Sequence, residues 1–109
     1  MKDRVLSMIG LAARGKNVIS GEFMTEKAIK TGEACLVIIA EDASDNTKKK
    51  FSDSCTFYEV PYYVYGDSDD LGHSMGKEFR KTLAVLDEGL ANSIIKRLEE
   101  AQHSENLEG

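Results

Sequence analysis

Cysteine and histidine are both scarce in this chain of 109 residues, which has two of each: Cys35, Cys55, His73 and His103. The cysteines form no CxxC redox motif and, with the histidines, no four-ligand zinc set. Both are therefore read as reduced, partly buried thiols, and neither a metal nor a cofactor is expected. Long apolar runs are missing as well. The longest, Ala34 to Ala40, falls far short of the roughly 20 residues that cross a bilayer. The opening Met-Lys-Asp-Arg interleaves charge with an amphipathic pattern and has no small-residue cleavage site, so no secretory leader is expected and the cytoplasm is the expected address. Proline occurs once, as Pro61, where a strand can begin without a ladder donor.

An excess of cations is also lacking. The net charge of -5 weighs against a polyanionic partner, whose affinity rests on Lys and Arg neutralising phosphates. The imbalance is uneven, however: residues 1–50 hold nine Lys/Arg against seven Asp/Glu, and residues 51–109 hold five against twelve. A basic face in the first half is compatible with that distribution. The length suits one domain over 1–101, with a polar, frayed tail over 102–109.

Val5, Leu6, Ile9, Ala12 and Ala13 recur at helical spacing, with Gly15 placed for a left-handed cap. After a short segment around Asn17 to Ser20, the residues Phe23, Met24, Ala28 and Ile29 give a second helix, Ser20 its N-cap and Gly32 its stop. Ala34 to Ala40 is apolar and β-branched, which suits a central strand covered on both faces. Ser44 caps a third helix with Lys48, Lys49 and Lys50 solvated and Phe51 and Cys55 inward. Val60 to Tyr65 reads as a strand and Gly66 to Asp70 as a turn. A short helix with Leu71 and Met75, a strand over Thr82 to Leu86, and a last helix with Leu90, Ile94, Ile95 and Leu98 on one face complete the chain. This alternation implies an α/β fold with helices on both sides of a mixed sheet.

Few segments invite chemistry. Gly72-His-Ser-Met-Gly-Lys77 has three residues between its glycines where a phosphate loop needs four, and Glu78 where that loop needs Ser or Thr. Neither histidine pairs with a Ser or Cys as a triad would require, and the pairs Glu41–Asp42 and Asp69–Asp70 stand at helix starts, where the dipole favours negative charge. An enzyme is not expected. Arg14-Gly-Lys-Asn-Val-Ile-Ser-Gly21 leads into the second helix, whose N-terminus could hold a phosphate with Arg14, Lys16 and Lys27 adding charge. A solvated helix start with Glu22 and Glu26 paired to lysines is the plainer reading, and the residues alone favour it.

The strings Lys27-Ala-Ile-Lys-Thr-Gly32, Ala34-Cys-Leu-Val-Ile-Ile-Ala-Glu-Asp-Ala43, Val60-Pro-Tyr62, Leu71-Gly72 with Gly76, and Leu83-Ala-Val-Leu86 resemble, in order, the L-seven-Ae family of ribosomal proteins, especially its small stand-alone bacterial members. The resemblance runs from about residue 4 to residue 96. It implies a three-layer α-β-α sandwich that binds kink-turn RNA, a sharply bent duplex, in a ribosomal or ribonucleoprotein setting. It also implies that the start of the second helix enters the RNA groove and that a later loop covers an extruded nucleotide, matched here by Gly21 to Lys27 and Val64 to Ser68. The family's Gly-x-Asn-Glu-x-x-Lys departs to Gly21-Glu-Phe-Met-Thr-Glu-Lys27. Gly21 and Lys27 are kept while Phe23 and Met24 replace two base-reading polar residues, which implies weakened base readout. The expected RNA-binding set is therefore Arg14, Lys16, Ser20, Gly21, Phe23, Met24, Lys27, Lys30, Val64, Tyr65 and Gly66. The alternative is a protein-interaction module on the same fold, docking a protein partner through Phe23, Met24 and the tyrosines.

Overall fold

A computed structural model describes residues 3–108, with side chains from 3 to 102. The elements are α1 (Arg4–Arg14), β1 (Val18–Ser20), α2 (Glu22–Thr31), β2 (Leu36–Ile39), α3 (Asp45–Phe57), β3 (Tyr62–Val64), α4 (Ser68–Ser74), β4 (Thr82–Val85) and α5 (Glu88–Glu108). The four strands form one mixed sheet in the order β1-β4-β2-β3. The pairs β1–β4 and β2–β4 are antiparallel, and β2–β3 is parallel, the two strands being joined through α3.

The apolar run of β2 is buried on both faces, and the strand's period of two splits it between two cores. Leu36 and Ile38 pack with Leu83 and Val85 against Val5 and Ile9 of α1, Leu71 of α4, and Ala91, Ile94 and Leu98 of α5. On the other face Val37, Ile39 and Ala84 meet Ala28 and Ile29 of α2 and Phe51 and Cys55 of α3. Each fully buried Leu, Ile or Phe contributes on the order of 1.5–3 kcal/mol by leaving water. The result is the three-layer α-β-α sandwich, with α1, α4 and α5 on one side and α2 and α3 on the other.

Several local expectations need correction. The segment Val18–Ser20 is a strand, the outer one beside β4. Ser20 therefore does not cap α2; the N-cap is Gly21 (φ 94°), which makes no side-chain cap bond. Gly15 does cap α1, but with φ -85°, and the left-handed residue is Lys16 at φ 62°. The inward face of α2 is Thr25, Ala28 and Ile29, with Thr25 meeting Thr82 of β4 (3.3 Å), while Phe23 and Met24 are exposed because helical phase turns them off that face. The expected turn at 66–70 is shorter, since α4 begins at Ser68. Lys49 and Lys50 are exposed as expected, but Lys48 is half-buried. Helix α5 continues to Glu108 through the stretch expected as a tail; Gly109 and the side chain of His103 lie outside the described residues.

The two cysteines are free thiols, Cys55 buried and Cys35 half-buried. Burial pushes the Cys55 thiol up to about 12, so it stays protonated and unreactive at neutral pH. Cys35 is also raised, by its own burial and by Glu88 and Asp87 nearby. No helix among the described residues is long and apolar enough to cross a membrane.

Candidate nucleic-acid interface

The sheet brings four chain segments to one end: the C-terminal ends of β1, β2 and β3 and, because β4 runs antiparallel to β1 and β2, the segment entering β4. At the β1 corner the Gly21 N–H donates to the Thr82 carbonyl (3.0 Å), prolonging the ladder by one residue before α2 begins. The Thr25 N–H then donates to the Gly21 carbonyl (3.0 Å). This leaves the N–H groups of Glu22, Phe23 and Met24 pointing outward with no intrahelical acceptor, as at any helix start. The positive φ of Gly21 explains its presence, for a side chain there would strain the turn that joins strand to helix.

Sequence reasoning missed the side chain that faces this corner. Arg80, in the α4–β4 loop, donates from Nε to Ser20 Oγ (3.0 Å) and from an Nη to the Phe79 carbonyl (2.9 Å), and its own N–H reaches the Ser68 carbonyl (2.9 Å). The guanidinium is thus fixed beside Gly21 and pairs with no carboxylate among the described residues. Its signal lay sixty positions from Ser20 in the chain, and only the Arg80-Lys81 pair directly before a strand hinted at it. Around the corner stand Lys27, exposed and unpaired among the described residues, and two exposed rings, Phe23 (76%) and Phe79 (57%). Lys81 lies 5.9 Å from the centroid of the Phe79 ring. A shallow groove along α2 is lined by Phe23, Glu26, Lys27, Lys30 and Thr31. The half-buried Ser20, expected as a cap, instead positions the arginine.

Lys81 and Asp42 fasten the neighbouring loops. The Asp42 carboxylate accepts from the Ser68 hydroxyl (2.7 Å) and the Ser68 N–H (2.9 Å), and Lys81 Nζ lies 3.7 Å from it. Chiefly the Ser68 hydroxyl, helped by the Ser68 amide and the Lys81 ammonium, holds the Asp42 carboxyl below the usual carboxylate range. Asp42 therefore serves the start of α4, and Ser44 caps α3. No group of three or more His, Cys, Asp or Glu side chains among the described residues is placed to hold a metal.

The other expected residues are not gathered here. Arg14 and Lys16 sit at the far end of β1, where the Asn17 carbonyl meets the Leu86 N–H, roughly 13 Å of strand from Gly21. Lys30 is in the last turn of α2, 3.6 Å from Glu26. Glu26 also meets Lys50 (3.7 Å), so that part of α2 carries the solvated ion pairs of the plainer reading. Val64, Tyr65 and Gly66 lie at the same end of the sheet but beside β3, three interstrand spacings or roughly 14 Å from β1. Tyr65 packs against the α1/α4/α5 core with its hydroxyl donating to Asp3 (2.6 Å), which turns its ring away from α2. The loop flanking the start of α2 is Lys77–Lys81, in place of Val64–Ser68. Gly72 and Gly76, in the segment that lacks the phosphate-loop spacing, serve the fold: Gly72 is buried in α4 against the backbone of Glu78, and Gly76 takes a left-handed turn (φ 71°).

The family model described as "Ribosomal protein L7Ae/L30e/S12e/Gadd45 family" matches residues 3–95. The chain belongs to this family. It is 46% identical over 92 residues to a Bacillus subtilis protein named RNA-binding protein YlxQ, covering 84% of this chain and 92% of that one. It is 36% identical over 77 residues to large ribosomal subunit protein eL30 of Aeropyrum pernix, covering 69% and 76%. Among solved structures, a Bacillus halodurans protein of unknown function superposes with a TM-score of 0.88 at 36% identity, covering 90% of this chain and 99% of that one. The Giardia lamblia 15.5kD RNA binding protein shares the fold, with a TM-score of 0.75 at 22% identity over 90% of this chain and 84% of its own.

Proposed function

We propose that this protein binds structured RNA, with kink-turn RNA the preferred class, at the corner formed by the start of α2 and the loop 77–81, as a binding component of a cytoplasmic ribonucleoprotein. The observation that carries the reading is the Arg80 guanidinium, anchored 3.0 Å from Ser20 Oγ and unpaired by any described carboxylate, beside the outward-pointing first-turn N–H groups of α2. Donors of that kind suit phosphate oxygens. Lys27 adds a mobile charge, and Phe23 and Phe79 offer flat apolar surface on which an unpaired base can stack. The names of the B. subtilis and A. pernix relatives support the reading. Phe23 and Met24 cannot hydrogen-bond to base edges, so phosphate contact outweighs base readout here.

Salt dependence is the test. In titrations against a kink-turn RNA, Lys27→Ala and Arg80→Ala should each lower affinity roughly ten-fold at about 0.1 M salt, the loss of one charge-assisted contact. Each should also make the log–log salt slope shallower by about 0.7–0.9, one phosphate's worth. Arg14→Ala is the matched control and should change neither. If both corner variants bind RNA as the parent does, while Phe23→Ala abolishes capture of a protein partner, the protein-docking alternative holds instead.

A further inference from the structure

The opposite edge of the sheet is open. Among the described residues β3 pairs with β2 alone, and the ladder fixes its phase: the Val37 N–H donates to the Pro61 carbonyl (2.9 Å) and the Tyr65 N–H to the Ile39 carbonyl (3.0 Å). Residues 61, 63 and 65 therefore turn their backbone groups toward β2, and alternation turns the N–H and C=O of Tyr62 and Val64 outward. Pro61, which often blunts an edge, lacks its N–H on the β2 side and leaves the outer edge intact. The chain leading into and through β3 carries exposed large apolar side chains, Phe57 (77%), Tyr58 (42%), Tyr62 (37%) and Val64 (39%), with the Phe57 and Tyr58 rings edge to face at 4.9 Å. The chain segment that carries them is acidic, since residues 51–76 include five Asp/Glu and no Lys or Arg, with Asp53 paired to Lys49 of α3 (3.1 Å). On the α5 side Tyr63 donates to Glu99 (3.0 Å), while Arg97 is already paired with Glu100 (3.2 Å).

We infer that the β3 edge receives an extended, basic peptide segment of a partner protein, which adds a strand beside Tyr62–Val64 and sets its cations against Glu59, Asp67 and Glu99. Backbone groups in strand phase call for an extended occupant, and alternating exposed side chains supply its pockets. The charge selects among extended occupants. A second copy would lay the acidic segment 51–76 against itself, and RNA would lay phosphates against it, so both are disfavoured. This inference does not rest on the RNA-binding reading, because β3 and β1 are opposite edges of the sheet.

The probe is a synthetic octapeptide alternating lysine with valine, compared with one alternating glutamate with valine, in amide NMR titrations of the full chain. The lysine peptide should shift the Tyr62 and Val64 amides, slow their hydrogen exchange, and bind at least about five-fold tighter than the glutamate peptide. Val64→Pro deletes an outward N–H, and Val64→Lys keeps the backbone but adds a like charge. Val64→Pro should weaken the lysine peptide by roughly three- to ten-fold, the span of one net hydrogen bond, and Val64→Lys should weaken it through like-charge repulsion. If Val64→Pro unfolds the chain, Val64→Lys alone decides. Equal binding of both peptides, shifts centred on Phe23 to Lys27, no shift at all, or a dimer in sedimentation that Val64→Lys dissolves would each overturn the inference.

Discussion

Gly72→Ala, at a buried position of α4, should lower stability by about 3 kcal/mol and the melting temperature by roughly 10–20 °C. Two effects of opposite sign compete. Alanine is the better helix former by about 1 kcal/mol, and α4 is a helix at this position. Against that, a Cβ on Gly72 would lie 1.7 Å from the Glu78 carbonyl oxygen, 2.5 Å from its carbon and 2.9 Å from Phe79 Cα. All three are backbone atoms that no rotamer can move, so the clash wins and the loop 77–80 must lift. The Lys77 N–H bond to the Gly72 carbonyl (2.9 Å) and the Arg80 N–H bond to the Ser68 carbonyl (2.9 Å) would go with it. Because that loop carries the anchored arginine, RNA affinity should fall as well. Gly10→Ala is the comparison: its Cβ would meet one backbone oxygen at 2.8 Å, and its cost should be smaller. Thermal melts followed by circular dichroism read both, and a loss under about 3 °C for Gly72→Ala would show that the loop yields freely.

Phe23→Asn combined with Met24→Glu should convert a binder dominated by phosphate contact into one that discriminates. These are the second and third residues of α2, where a Glu is favoured by the helix dipole and where the replaced side chains are exposed, so stability should hardly change. Each good edge contact discriminates by roughly 1–3 kcal/mol in duplex DNA, and a similar order is taken for RNA. The preference for kink-turn over straight duplex should therefore rise by on the order of ten-fold or more. The added Glu repels phosphate, which should lower straight-duplex affinity at the same time. Isothermal titration of parent and double variant against both RNAs at one salt concentration reads the ratio. Unchanged melts with an unchanged ratio would mean that Gly21 to Lys27 does not face the guanines.

The parts of the fold that were legible are those whose signal is local. Leu36–Ile39 reads as a doubly covered strand because apolar, β-branched runs of that length have few other homes, and Phe51 and Cys55 face inward at helical spacing from a Ser44 cap. β1 was illegible: a strand of three residues shows no period, and what makes Val18–Ser20 a strand is β4, more than sixty residues away. The site divides along the same line. Gly21 and Lys27 belong to a contiguous motif, whereas Arg80 matters because tertiary folding sets it on Ser20. The placement of Tyr65 is a matter of parity. Residues 63 and 65 face the α1/α4/α5 core while 62 and 64 face the α3 side, so the ring expected to stack on a base is spent on Asp3. Arg14 and Lys16 are neighbours of Gly21 in sequence and far from it in space, because the segment between them is extended.

Where the RNA sits is best read by titrating the isotopically labelled chain with a kink-turn RNA at fixed salt and following every backbone amide. The expected shifts centre on Gly21 to Lys27 and Lys77 to Lys81, with little change at Arg14, at Lys16 or along Tyr62–Val64. Shifts centred on the Arg14–Lys16 end of β1, or on β3, or an absence of any shift at RNA concentrations well above the protein's, would contradict the corner site.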